Sequence, residues 1–63
     1  MRYILVDRIG LHKGQVAVFI NEIRFIQVDS DGITNLIFNG KTAPLQVREM
    51  FEEVLELIDA EDY

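Results

Sequence analysis

The chain contains no cysteine and no tryptophan, and only one proline, one histidine and four glycines among its 63 residues. Without thiols there is no disulfide framework and no thiolate metal site, and a lone imidazole builds no metal cluster. Few glycines and a single proline argue against low complexity, and 49% hydrophobic with 27% charged residues is too apolar for a disordered chain. No apolar run approaches the roughly 20 residues of a membrane-spanning helix. The start Met1-Arg2-Tyr3-Ile4-Leu5-Val6-Asp7 meets an acid too early for a secretory leader, so the cytosol is the expected compartment. One small domain over 1–63 is expected. At this length a hydrophobic core alone stabilises marginally, and with metal and disulfides set aside a protein partner is the expected support.

Also missing is any lysine or arginine after Arg48. From Glu49 to Tyr63 there are seven acids (Glu49, Glu52, Glu53, Glu56, Asp59, Glu61 and Asp62), whereas residues 1–48 carry six basic and four acidic side chains. The chain is therefore a charge dipole, +2 before Glu49 and −7 after Arg48, with a net charge of −5. That balance repels phosphate backbones and disfavours direct nucleic-acid binding; it suits a basic protein surface.

Short β-branched and aromatic runs separated by turn residues predict strands at about 2–7, 15–20, 24–29, 33–38 and 41–43. Asn21-Glu22 breaks the second run from the third as a tight turn or a single helical turn. Asp29-Ser30-Asp31-Gly32 predicts a hairpin turn, because aspartate and serine bond nearby backbone and glycine reaches positive φ. Asn39-Gly40 is the pair favoured in a two-residue type I′ loop. Pro44 has no N–H for a ladder, which places the fifth strand at an edge or ends it there. Val47, Met50, Phe51, Val54, Leu55 and Ile58 repeat at the spacing of one helix face and predict an amphipathic helix over about 47–58. Glu49, Glu52, Glu53 and Glu56 then form its opposite face. Like charges at that spacing, and acids near the negative end of the helix dipole, are mildly destabilising.

The order of strand, glycine-bearing loop, strand, Ile20-Asn21-Glu22-Ile23, strand, Asp-Gly turn, strand, Asn39-Gly40 and then Val47-Arg48-Glu49-Met50-Phe51-Glu52-Glu53-Val54 resembles the small flagellar and swarming-motility protein family. It is also similar to short uncharacterised proteins of phages and mobile elements. The resemblance spans most of the chain and implies a small accessory or regulatory protein; members of the family carry a helix-capping serine where Met50 stands. Ile23-Arg24-Phe25-Ile26 with Asp31-Gly32 further resembles the strand and helix rhythm of the LytTR-type DNA-binding domain. There the helix leads into basic DNA-reading segments, whereas here Asp59-Ala60-Glu61-Asp62-Tyr63 follows, so DNA reading does not carry over.

No residue set identifies a reaction. His12 lies in a loop with no nucleophile or orienting carboxylate near it in sequence, and Ser30 and Thr42 have no triad partners. Asp29-Ser30-Asp31-Gly32 starts like a calcium loop, but Gly40 stands where the closing glutamate is needed. No catalytic, cofactor or metal residues are expected. The apolar residues say more. Ile4 and Val6 alternate with Tyr3 and Leu5, Val16, Val18 and Ile20 with Phe19, and Leu36 and Phe38 with Ile33 and Ile37. One helix covers one face of a sheet, so Tyr3, Leu5, Phe19, Ile33 and Ile37 form a candidate self-association surface and a homo-oligomer is expected. The acidic residues Glu49, Glu52, Glu53 and Glu56 are either a solubilising surface or a docking site for a basic partner.

These observations predict an α+β fold, a curved antiparallel sheet or partial barrel of four to five strands with one C-terminal amphipathic helix. The expected function is a non-enzymatic acidic protein-interaction module of phage, mobile-element or bacterial accessory type. Two alternatives are an acidic decoy on a basic host surface and a small regulator of flagellar or swarming motility.

Overall fold

A computed structural model describes residues 2–40 and 43–61. Five strands precede one helix: β1 (Tyr3–Arg8), β2 (Gly14–Phe19), β3 (Ile23–Val28), β4 (Thr34–Phe38), β5 (Leu45–Val47) and α1 (Phe51–Ala60), with a 3₁₀ turn over Ile20–Glu22 between β2 and β3. The expected α+β class is present. All pairings are antiparallel, in the spatial order β2-β1-β5-β4-β3, and the sheet is open, with β2 and β3 as its two edges.

Two hairpins meet on the short central strand. β1 and β2 pair from Tyr3 opposite Phe19 to Arg8 opposite Gly14 without a break. β3 and β4 pair from Ile23 opposite Phe38 to Val28 opposite Thr34, with a register shift between Ile23 and Phe25. Val47 lies opposite Arg8 on one side and Thr34 on the other, so β5 joins the end of β1 to the start of β4. Asp29 closes the second hairpin as the turn chemistry predicts: its Oδ1 accepts from the N–H groups of Asp31 (2.9 Å) and Ile33 (3.0 Å). Gly32 supplies the positive φ of that turn, at 81°.

Strand alternation sends one set of side chains inward. Ile4, Val6, Val18, Leu36, Val47 and the helical Val54 are buried, and Val16, Ile20, Ile23, Ile26, Phe38, Leu45 and Ile58 pack around them. The helix closes this one face, lying mainly against β1 and β3.

Three expectations change. The helix begins at Phe51 rather than near residue 47 and runs to Ala60 rather than 58, because Val47 is held extended by β1 and β4 and the Arg48 N–H still donates to the Asp7 carbonyl at 2.8 Å. Its N-cap is Met50, in extended geometry, whose N–H is reached by the Glu53 carboxylate at 3.5 Å, the return half of a capping box. Among the described residues a strand that was not expected, β5, follows Pro44 and is central in the sheet; since Pro44 stands outside it, its missing N–H costs no ladder bond. Most of the expected strand at 41–43 lies outside the described residues. Asn39 does not adopt the positive φ of a type I′ turn, and its N–H donates instead to the Glu22 carbonyl at 3.0 Å.

Candidate interaction surfaces

The face of the sheet away from the helix is apolar in two places. Leu5 pairs with Ala17 and Tyr3 with Phe19, so all four point outward from the β1–β2 hairpin. Tyr3, Leu5 and Phe19 remain 46%, 48% and 45% exposed. The rings of Tyr3 and Phe19 meet edge-on at 6.4 Å, a favourable aromatic geometry. On the other hairpin Phe25 lies opposite Ile37; Phe25 is 47% exposed and Ile37 half-buried. Outward positions between and beside these groups are the uncharged Gln15, Gln27, Asn35 and Gln46, with the charged Asp7 opposite Gln15. Ile33 belongs less clearly to this surface. It is half-buried in the turn before β4, with its N–H committed to Asp29.

Phe25 was not singled out by its sequence. The alternation of Arg24 to Asp29 does place it opposite in sense to Ile26 and Val28, and that was the available signal.

The acidic surface divides. Glu52, Glu53 and Glu56 are exposed on α1, and among the described residues neither Glu52 nor Glu56 pairs with a base. Glu49 is different: it precedes the helix, and its two carboxylate oxygens accept the Asp7 N–H at 2.9 and 3.1 Å. At this point β5 has left β1, and the carboxylate stands where the next strand residue would have bonded. An exposed ion pair joins Arg48 to Asp7 at 3.7 Å, the kind of contact worth about 0–1 kcal/mol.

Comparison with protein-family models, curated proteins and solved structures finds no match.

Residues with potential chemistry are placed apart. His12 is exposed in the β1–β2 loop. Asp29 spends its carboxylate on its own turn, adding the Asn35 side-chain amide at 3.2 Å to the two backbone donors. The Ile33 N–H is the main cause that holds the Asp29 carboxyl below its ordinary range; partial burial opposes it, and Asn35 and Asp31 add to it. Thr42 lies outside the described residues. A shallow recess of about 200 Å³ beside β5 is lined by Arg8, Ile9, Asn35, Pro44 and Gln46, which include no nucleophile and no carboxylate. Among the described residues no helix is long and apolar enough to cross a membrane.

Proposed function

We propose that this chain is a non-enzymatic protein-interaction module that works in the cytoplasm, self-associates through its sheet and turns an acidic helix outward. The observation that carries this reading is the one-sided cover of the sheet: Val54 of α1 is buried against the inner face, while Tyr3, Leu5, Phe19 and Phe25 lie nearly half exposed on the other. An uncovered group of large apolar side chains on so small a chain is a surface that gains by association. A curled sheet, approaching a partial barrel, fits the same reading. The two edges β2 and β3 are linked by a 3₁₀ turn of only three residues, whereas in a flat five-stranded sheet they would stand roughly 19 Å apart. Curling makes the outer face convex, so it has no cover of its own.

Sedimentation velocity over a range of micromolar concentrations tests this. The expected result is a species heavier than the 7.3 kDa chain, growing with concentration. A monomer at every concentration overturns the self-association reading.

A second reading is favoured by the helix. Glu52, Glu53 and Glu56 form an exposed ridge with no basic residue in the last turn of α1 to neutralise it, which suits an acidic decoy that occupies a basic host surface. Reversal of Glu52 and Glu56 to lysine, with Glu49 and the capping Glu53 left in place, should abolish a salt-sensitive complex with a basic protein and leave the fold intact. Capture of the same partners by the reversed protein overturns it. A bacterial accessory role, in motility or in a phage or mobile element, rests on the order of strands, turns and helix alone.

A further inference from the structure

We infer that β2 is a self-pairing edge: two copies join antiparallel at β2 about a two-fold axis through Ala17, giving one continuous sheet. The inference rests on the self-association reading and names the surface that carries it.

The register identifies which backbone groups are free to pair. The Ile20 N–H donates to the Arg2 carbonyl at 3.1 Å, one step beyond the pair Tyr3–Phe19. Bonding pairs alternate along an antiparallel ladder, so Val16 and Val18 turn their N–H and C=O toward β1. Gln15 and Ala17 therefore turn theirs to the open side, as does the Phe19 N–H, whereas the Phe19 carbonyl, at the N-cap of the 3₁₀ turn, accepts that turn's first bond. The opposite edge of β1 agrees with this phase: the Asp7 N–H goes to Glu49, and its carbonyl receives the Arg48 N–H, both on the β5 side.

The two edges of the sheet are guarded unequally. Exposed edges are ordinarily protected from pairing by charge, proline or a bulge. β3 has Arg24 and the register shift between Ile23 and Phe25. β2 reads Gly-Gln-Val-Ala-Val-Phe, with no charge and no proline, and its register against β1 is unbroken over all six residues. Such a strand is a template for another.

A second copy is the occupant that the strand itself fits. About an axis at Ala17, Ala17 faces its own equivalent and Gln15 faces Phe19 of the second copy, giving about four main-chain hydrogen bonds, donated by the Ala17 and Phe19 N–H groups of the two copies. On the inner face Val16 meets Val18 of the second copy. On the outer face the Gln15 stem covers the ring of Phe19, which already packs on Tyr3. No charged side chain opposes another across the seam, and the acidic helix packs mainly against β1 and β3. Two copies that each carry −5 thus meet along an uncharged strand.

Amide hydrogen exchange followed residue by residue, at low and high protein concentration, tests the inference. As the dimer forms, the amides of Ala17 and Phe19 should slow by about tenfold or more beyond any change at Val16 and Val18. Ala17→Pro removes the central outward N–H while the bonds to β1, made by its neighbours, remain; it should weaken the dimer by about tenfold or more. A dimer whose Ala17 and Phe19 amides exchange freely overturns β2 pairing and leaves self-association standing. A monomer at every concentration overturns both. If Ala17→Pro fails to fold, the exchange pattern of the unaltered chain decides alone.

Discussion

Glu49 and Asp29 each spend a carboxylate on backbone N–H groups, one across 42 positions of sequence and one within a turn. Glu49 takes the place of a strand residue beside Asp7. Glu49→Ala leaves that partly buried N–H without its partner and should cost about 1–2 kcal/mol, read as a lowered urea midpoint. Glu52→Ala, at an exposed helix position, should change stability by less than about 0.5 kcal/mol. Asp29 gives a pH dependence of known sign. Its folded-state pKa lies below the unfolded one, chiefly through the Ile33 N–H, so its stabilisation is complete above about pH 3.9 and is lost as pH falls through the lower, folded value. Asp29→Asn keeps an accepting oxygen without a titrating charge. Urea midpoints from neutral pH down to about pH 2.5 should fall less steeply for this variant than for the unaltered chain. The Asp29 turn was legible in sequence because its donors lie two and four residues away. The Glu49 contact was not, because nothing local marks Asp7 as its partner.

At the scale of elements, α1 carries conflicting terms. Val54 is wholly buried, and Val54→Ala should destabilise by roughly 1.5–3 kcal/mol, a large share of what so small a domain has, observable as a cooperative loss in thermal melts. The last turn has no basic residue while Asp59 sits in it, against the helix dipole. Asp59→Lys should stabilise by about 0.3–1 kcal/mol, with the gain shrinking as salt is added. The helix was visible from the spacing of Met50, Phe51, Val54 and Ile58, but its start was not. Val47 continues that spacing by coincidence; its pairing with Arg8 and Thr34, both distant in sequence, keeps it in a strand. The same long-range pairing makes β5 a central strand where local preference gave none.

At the scale of the molecule, sheet order separates the surfaces. The inner face takes the helix, the outer face keeps Tyr3, Leu5, Phe19 and Phe25, and the acids of α1 lie on the covered side. If copies pair through the sheet, folding is coupled to association, and the thermal midpoint should rise with protein concentration; a midpoint independent of concentration counts against the coupling.

What the sequence determined by itself is local. Alternating β-branched residues, the Asp29 turn, the amphipathic helix and the segregation of charge follow from preferences that act over a few residues. It also showed that several strands were apolar on both faces, without saying which face the helix would cover. Tertiary structure decided that choice, moved Val47 and Glu49 out of the helix and left β2 as an unguarded edge. Each outcome depends on backbone hydrogen bonds between segments far apart in the chain, and such bonds leave no periodicity in the residues that make them.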